Sequence, residues 1–378
     1  MAKRRGNNEG SLYQRRDGLW CAQVSLNGRR LTKYGKRQKE CHDWIKQTLG
    51  KIDGGLTFEG TQLTLERFFE LWLNGKELAR RPSTVNGYRR YARLYVLPML
   101  GKLKLQDILP GHIKQLYALM KDDGRGARTI QLIHVTLHAA LKQAVREGYL
   151  GRNPVDAIER PTVAQVEFPT LSPEQARQFL ITATASPFDT LFYIALTTGM
   201  RKGELLGLKW PDLDEEKSTL FVQRQLQRIP HKGYELVAPK TKAGRRKIKL
   251  GPKTLAKLLA YRSHQESLKQ ALGDGWQESG LMFTNSIGTF LDQSKVSKEF
   301  KKVLKRAGLP DMRFHDLRHT SLSSLLENGI SINTTQNRGG HSKASTTVNI
   351  YGHTSARSQT EAAEKIEELV TPIEIKLQ

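Results

Sequence analysis

The sequence predicts a mainly α-helical, multidomain protein, with a small β-sheet plus one helix at the N-terminus, an all-helical middle domain and an α+β C-terminal domain. Its 378 residues are enough for two or three separate hydrophobic cores. Apolar residues recur at helical spacing through residues 63–158. Strand-like runs bounded by turn sequences occur in residues 9–35 and again in residues 218–250. These patterns favour three domains, at residues 1–56, 63–158 and 170–378.

The charge of the chain indicates a polyanionic partner. The formal net charge is +24 and the sequence pI is about 10.0, whereas a hydrophobic content of 38% is ordinary for a folded protein. Such an excess of cations favours nucleic acid. A basic protein that binds ribosomes or acidic membranes is the alternative. The sequence contains no basic amphipathic membrane helix and no apolar run near the roughly 18 residues needed to span a bilayer.

The N-terminus and the cysteines bear on the cellular compartment. The first residues, "MAKRRGNNEG", are charged and lack the apolar region of a secretory signal. The two cysteines, Cys21 and Cys41, form neither a disulfide framework nor a metal-binding spacing. We therefore expect a protein of the reducing cytoplasm.

Residues 1–56 predict a basic unit that binds DNA. The run "GSLYQRRDGLWCAQVSLNGRRLTKYGK" gives short strands separated by the turn sequences "RRDG" and "LNGRR", and "RQKECHDWIKQTLGKI" gives an amphipathic helix. Residues 1–60 contain 13 Lys or Arg against 6 Asp or Glu. A three-stranded sheet can enter a major groove, although a solvated basic sheet without specificity has the same composition. The candidate DNA-binding residues are Arg15, Arg16, Arg29, Arg30 and Lys33.

Residues 63–158 follow a linker at 54–62 and predict four helices. The helices are expected in "TLERFFELWLNG", "RPSTVNGYRRYARLYVLPML", "LPGHIKQLYALMKDDG" and "GARTIQLIHVTLHAALKQAVREGYL", with Ser83 as the N-cap of the second. That second helix also carries three arginines that are expected to face DNA phosphates, Arg89, Arg90 and Arg93.

A boundary at 159–175, which contains three prolines, precedes the last domain. Beyond it, "SPFDTLFYIALTTG" predicts a buried helix that ends at Gly199. The runs "STLFVQRQLQR" and "RRKIKL" predict strands, and "PKTKAGRRKIKL" is expected to form a basic hairpin with Lys240 and Lys242 at its tip. Helices are expected to resume from about residue 294.

Four clusters in this domain carry residues that can do chemistry. They are "TTGMRKGELLGLKWPDLD" with Arg201, "PKTKAGRRKIKL" with Lys240 and Lys242, "FHDLRHTS" with His315, Arg318 and His319, and "NRGGHSKASTTVNIYGHTS" with His341 and Tyr351. Taken singly, each has a structural explanation, since arginines and lysines at helix starts and turns are usually solvated and a tyrosine usually packs by its ring. Taken together and in this order, they resemble the tyrosine recombinase (phage integrase) family.

The resemblance extends over the rest of the chain. Residues 63–158 are similar to the helical, SAM-like core-binding domain of the family, and residues 1–56 to the AP2-like arm-binding domain of integrases from phages and conjugative elements. The family implies a site-specific DNA recombinase that integrates and excises a phage or mobile element. A non-catalytic accessory protein derived from an integrase and a type IB topoisomerase-like strand transferase are the alternatives.

The resemblance also implies a role for each residue type. Two fixed forks of donors, Arg201 and Arg318, would clamp the nonbridging oxygens of a phosphodiester. Tyr351 would be the nucleophile that forms a 3′-phosphotyrosine link, and Lys240 would protonate the departing 5′ oxygen. His315 would serve in proton transfer and His341 would hydrogen-bond the phosphate. No cofactor and no metal ion are expected.

The pair His315 and His319 also raises the possibility of a zinc site, because the two are spaced four apart. A zinc-protease helix has Glu directly after the first His, whereas this chain has Asp316, and Arg318 would place a permanent cation beside the metal. A phosphate is therefore the better ligand for this segment. His319 is then expected to be a supporting residue and Asp316 an orienting residue or a helix-start charge.

Three features of the resemblance leave open points. The family usually has leucine before the Gly-His pair, but this chain has Gly339 there. Lys240 is the preferred general acid and Lys242 is the alternative. The segment "SQTEAAEKIEELV" predicts a last helix that packs either on its own domain or on a neighbouring protomer. The resemblance implies double-stranded DNA with core and arm sites as the partner, a homotetramer on DNA, a monomer or weak oligomer when free, a directionality factor, and a bacterial or phage-encoded protein associated with the nucleoid.

Overall fold

A computed structural model describes residues 10–26, 29–53, 62–79, 81–163, 168–229, 232–239 and 242–340, together with Ile366. The chain divides into two compact units, Met1–Gln165 and Val166–Gln378. Within these described ranges, no helix is long and apolar enough to cross a membrane.

The first unit begins with an antiparallel sheet of order β1-β2-β3, formed by Ser11–Gln14, Trp20–Leu26 and Arg29–Gly35. Helix α1 (Gln38–Asp53) packs on one face of this sheet and closes a small core of Ala22, Val24, Cys41 and Ile45. Side chains alternate along a strand, so the opposite face is formed by the other set. On that face Cys21 lies between its cross-strand partners Tyr13 and Tyr34, which are 45% and 53% exposed.

The rest of the first unit is helical. It contains α2 (Leu65–Ala79), α3 (Pro82–Tyr91), α4 (Leu97–Leu100), α5 (Pro110–Asp122) and α6 (Ala127–Arg146). A π-helical segment, Ala92–Val96, joins α3 to α4, so the second of the four predicted helices is continuous but irregular. Its core is formed by apolar side chains of all these helices, including Phe68, Phe69, Trp72, Ile133 and Leu137.

The start of α3 differs from the prediction. Arg81, not Ser83, is the N-cap, and Pro82 is the first helical residue. Proline suits this position because its fixed φ is already helical and its missing N–H would have no partner in the first turn.

The second unit builds one core from helices and two small sheets. The helices are α7 (Pro173–Ala183), α8 (Asp189–Thr198), α9 (Lys202–Leu205), α10 (Pro252–Leu272), α11 (Gln293–Arg306), α12 (Asp316–Glu327) and α13 (Ile332–Gly339). Aromatic rings of α7, α8 and α11 meet at the centre, where Phe179, Phe192 and Phe300 are buried. Helix α8 ends at its C-cap Gly199, as predicted, and Gly199 adopts the left-handed conformation.

The strands of this unit form two separate sheets. One has the order β4-β5-β8, with Leu213–Asp214, Thr219–Val222 and Arg246–Lys249. The other pairs β6 (Gln225–Ile229) with β7 (Gly233–Val237).

Two predictions for this region were wrong. The basic segment is not the tip of a hairpin, because β7 pairs with β6 and β8 pairs with β5, so the segment connects two sheets. Helices resume at Pro252, not near 294. The apolar pattern of α10 is weak, since its buried positions include Thr254 and Gln265 beside Leu258.

Candidate active site

Arg201 stands at the junction of α8 and α9, where the left-handed Gly199 turns the chain. Its guanidinium Nη1 donates to Oε1 of Glu204 at 2.7 Å, and its backbone N–H donates to Oε2 of the same carboxylate at 3.0 Å. The side chain is still 36% exposed. The guanidinium of Arg201 is therefore fixed by Glu204 and remains accessible from solvent.

Arg318 lies one turn into α12 and is 2% exposed. Its Nη1 donates to the carbonyl of Gly199 at 2.7 Å, and its Nη2 donates to the carbonyl of Gly339 at 2.6 Å. These bonds tie the guanidinium to the ends of α8 and α13. A side chain fixed by two elements in this way keeps its donors in one orientation.

The two arginines meet at the C-terminal end of α13. Nη2 of Arg201 donates to the carbonyl of Gly340 at 3.3 Å, next to the Gly339 carbonyl that Arg318 uses. A third arginine, Arg246 of β8, donates from Nε to the carbonyl of Arg338 at 2.7 Å. Three consecutive carbonyls at the negative end of a helix therefore each accept a hydrogen bond from a different guanidinium.

Glu204 belongs to the same network, because its carboxylate accepts from two of these arginines. It is 2% exposed, and its Oε2 accepts from Nη2 of Arg246 at 2.9 Å while Oε1 accepts from Arg201. Burial alone raises the pKa of this carboxyl, but the charges and hydrogen bonds of Arg246 and Arg201 outweigh it and lower the pKa. Glu204 is thus a buried carboxylate that holds two cations.

His315 precedes α12 as its N-cap residue. The surrounding protein, and then the positive charges of Arg318 and Arg201, lower the pKa of His315 to about 4, although part of the residue is exposed. At neutral pH the imidazole is therefore uncharged, with one nitrogen able to accept a proton.

His319 supports His315 from the next turn of α12. Its ring meets that of His315 edge-on at 5.0 Å and stacks on Phe168 at 4.3 Å. It is 4% exposed, and burial followed by the neighbouring His315 lowers its pKa to about 4. Asp316 is also buried, and it accepts from the backbone N–H and from Nη2 of Arg313 at 2.6 and 2.9 Å. His319 thus contacts His315 directly, whereas the carboxylate of Asp316 holds Arg313.

Three further candidates lie outside the described residues, namely Lys240, His341 and Tyr351. The backbone at Lys242 starts a short 3-10 turn, Lys242–Gly244, and its side chain is also outside the description. Across the described ranges, no group of three or more His, Cys, Asp or Glu side chains could hold a metal ion.

Two residues of the network were missed from the sequence, Glu204 and Arg246. Glu204 follows Arg201 by three positions at the start of a helix, which is the spacing of a reciprocal cap and was a usable signal. Arg246 had no local signal, because the two partners that tie it to the network, Glu204 and the carbonyl of Arg338, are distant in the sequence.

The candidate DNA-binding residues of the N-terminal sheet fall in different places. Arg15 and Arg16 lie in the exposed loop after β1, with Arg15 5.0 Å from the ring of Tyr34. The strand register puts Arg30 on the face of Tyr13 and Tyr34. Lys33 is across from Ala22 on the helix side and pairs with Glu40 at 3.1 Å. The side chain of Arg29 is outside the description.

The arginines of the helical part are exposed. Arg89 and Arg90 lie in the last turn of α3, and Arg93 lies in the π-helical segment. Arg89 forms an ion pair with Glu77, and Arg90 lies over the ring of Tyr91 at 5.1 Å.

Comparisons with known proteins give matches in both units of the chain. The phage integrase family model matches residues 169–357, and the model of the N-terminal SAM-like domain of phage integrases matches residues 64–120. A XerC-like tyrosine recombinase from Caldanaerobacter subterraneus subsp. tengcongensis is 32% identical over 364 residues, covering 91% of this chain and 93% of that protein.

Solved structures share the fold. The Tn1549 transposon integrase, in complex with a circular intermediate DNA, has a TM-score of 0.68 at 23% identity and covers 80% of this chain and 99% of that chain. A lambda integrase tetramer bound to a Holliday junction has a TM-score of 0.57 at 21% identity and covers 93% of this chain and 99% of that chain. The chain belongs to the phage integrase family of tyrosine recombinases.

Proposed function

We propose that this recombinase cuts and rejoins DNA at a phosphodiester held between Arg201 and Arg318, to integrate and excise a mobile element or phage. The observation that carries the proposal is the anchoring of both guanidiniums on adjacent carbonyls, Gly340 and Gly339. Negative charge grows on the nonbridging oxygens as the phosphorus is attacked, and donors fixed beforehand stabilise that charge without reorganising. His341 is proposed as a further donor to the same phosphate.

Tyr351 is the proposed nucleophile. Its phenolic oxygen bonds to phosphorus, the bond from phosphorus to the 5′ oxygen breaks, and the phenolic proton passes to His315, whose imidazole is uncharged at pH 7. The product is a 3′-phosphotyrosine link and a 5′-hydroxyl. The 5′-hydroxyl of a second strand can then attack the link and release the tyrosine, so the bond energy is conserved.

A covalent-adduct assay tests the nucleophile. Wild type incubated with a nicked DNA that loses its 5′ end after cleavage is expected to form an adduct that survives denaturing electrophoresis. Tyr351→Phe is expected to form none while its DNA affinity stays close to that of wild type. Tyr193→Phe, a partly buried tyrosine of the same unit, is the matched control and should retain the adduct. If wild type and Tyr351→Phe formed equal amounts of adduct, another residue would have to be the nucleophile.

Lys240 is the proposed general acid, with Lys242 as the alternative. A DNA in which sulfur replaces the departing 5′ oxygen distinguishes them, since a thiolate leaves without being protonated. We expect Lys240→Ala to be slow on ordinary DNA, by about 100-fold, and to regain most of the rate on the sulfur substrate. Recovery by Lys242→Ala instead would assign the proton to Lys242, and recovery by neither would exclude both.

The remaining domains are proposed to bind DNA. Residues 1–56 would read an arm site through the sheet face that carries Tyr13, Arg30 and Tyr34, with the loop arginines Arg15 and Arg16 and with Arg29 on flanking phosphates. Residues 63–158 would bind the core site, with Arg89, Arg90 and Arg93 toward the backbone, and residues 170–378 would cut it. We leave Lys33 out of this surface because it lies across from Ala22, on the helix side of the sheet.

We further propose a homotetramer on two DNA duplexes, formed from weakly associated free protein. The support is the family membership and the lambda integrase tetramer bound to a Holliday junction. Deleting the residues after 356 and measuring sedimentation with a synaptic DNA tests whether the tail joins protomers, since a shortened protein that still assembles normally would exclude that role. A directionality factor and a place in the cytoplasm at the nucleoid complete the proposal.

A further inference from the structure

The Gly339–Gly340 turn at the end of α13 is where this chain departs from its family, which usually has leucine in place of Gly339. Gly339 is the last residue of the helix and its φ is not in the left-handed region. Its backbone conformation therefore does not require glycine. The need for glycine has to come from the space around it.

That space is already occupied. A Cβ on Gly339 would lie 3.0 Å from Cδ1 of Leu322 and 3.1 Å from Nη2 of Arg318. Leu322 is a fully buried residue of α12, one turn beyond Arg318. Leu322 thus fills the volume next to the turn that a side chain at 339 would need.

The turn also holds the arginines through its carbonyls. Gly339 accepts from Arg318 and Gly340 accepts from Arg201, so a displacement of this backbone moves both guanidiniums together. Gly340 has a φ of +66°, and a Cβ there would lie 2.8 Å from Nη1 of Arg246. Glycine at both positions lets the backbone approach three guanidiniums closely.

We propose that Gly339 is a positioning residue for the arginine pair, and that Leu322 replaces, from the adjacent helix, the leucine that the family carries before its Gly-His pair. The volume that a leucine at position 339 of α13 would fill is therefore occupied by Leu322 of α12. This inference rests on the proposed function, because it assigns Gly339 an effect on the cleavage step through Arg318 and Arg201.

Gly339→Ala separates positioning from stability. Helix propensity favours alanine over glycine and offsets part of the cost of the two close contacts, so the thermal midpoint should stay within about 4 °C of wild type. DNA affinity measured by fluorescence anisotropy should stay the same. The rate of adduct formation at saturating protein should fall about 10-fold or more, because small misplacements of catalytic groups are costly. Gly251→Ala is the matched control, since a Cβ there meets nothing within 4 Å, and it should keep the wild-type rate.

A volume exchange provides the second test. Gly339→Leu should form the adduct about 100-fold or more slowly than wild type. The double variant Gly339→Leu with Leu322→Ala should be at least about 10-fold faster than Gly339→Leu, because it returns a leucine to the family position and removes the side chain that it would meet. Wild-type adduct formation is measured alongside, so a wild type without adduct refutes the proposed function itself. With an active wild type, a wild-type rate for Gly339→Ala, or a double variant no faster than Gly339→Leu, overturns the inference.

Discussion

Replacing Glu204 with glutamine removes one buried negative charge and leaves the shape of the side chain unchanged. In the wild type, Glu204 accepts from the buried Arg246 and from the partly exposed Arg201. Glutamine keeps one acceptor oxygen but turns the other acceptor into a donor that faces a guanidinium. Two cations then remain close together without the carboxylate that separates them.

The expected loss of stability follows from the burial of this pair. Breaking a buried ion pair by removing one partner costs about 3–5 kcal/mol, and the retained oxygen of glutamine favours the lower end, near 3 kcal/mol. In a domain of this size, 1 kcal/mol shifts the midpoint by about 2–4 °C. We therefore expect Glu204→Gln to unfold about 6–12 °C below wild type at pH 7. Arg201 also loses its anchor, so adduct formation should slow by about 10-fold or more.

The assay is thermal unfolding followed by circular dichroism, repeated over a range of pH. Because the pKa of Glu204 is lowered in the folded state, its contribution is present above the ordinary value near 4.3 and is lost as the pH falls through the folded value. The difference between wild type and variant should therefore shrink in acid. Arg246→Met and the double variant complete a cycle, in which a coupling of at least about 1 kcal/mol is expected. A midpoint for Glu204→Gln within 1 °C of wild type would refute the reasoning.

Other outcomes follow from the same site. The pKa of His319 is about 4 in the folded protein and about 6.5 in the unfolded chain, so the unfolded chain binds the proton first as the pH falls. The free energy of unfolding should therefore drop by up to about 2 kcal/mol between pH 6.5 and pH 5 because of this residue. In urea titrations, His319→Asn should lack this part of the drop. In the N-terminal sheet, Arg30→Ala should weaken binding to arm DNA several-fold more than Lys33→Ala, because Lys33 lies on the helix side and pairs with Glu40, and equal losses in gel shifts would contradict that assignment. Adduct formation should persist in EDTA, and DNA affinity should fall steeply between 50 and 200 mM salt as counterion release is lost; an EDTA-sensitive cleavage would favour a metal-dependent reaction.

The architecture was predictable from the sequence to the extent that it depends on local patterns. The helices of residues 63–158 and the helix that ends at Gly199 follow from apolar spacing and one left-handed glycine. Helix α10 was not predicted because some of its buried positions, such as Gln265, are polar. The strand pairing was not predicted because β5 pairs with β8, while β6 and β7, which lie between them in the chain, pair with each other. Local sequence carries no information on such a distant partner.

The site divides in the same way. Arg201 and Arg318 were singled out because their residue types and order resemble those of a family with a known chemistry. Their anchors were not found, because Gly199, Gly339 and Gly340 act through backbone carbonyls, which every residue has. Long-range hydrogen bonds of this kind become visible when the elements are placed in space.

The hydrogen bond from Arg201 to Gly340 joins residues that are 139 positions apart in the chain, and the bond from Arg318 to Gly339 spans 21 positions. On the ribosome, the N-terminal sheet and the helical domain emerge long before these acceptors are made. A nascent chain that has already folded its N-terminal sheet and the helices up to α6 therefore still lacks the carbonyls of Gly339 and Gly340, and the two guanidiniums acquire these anchors only after α13 has been synthesised.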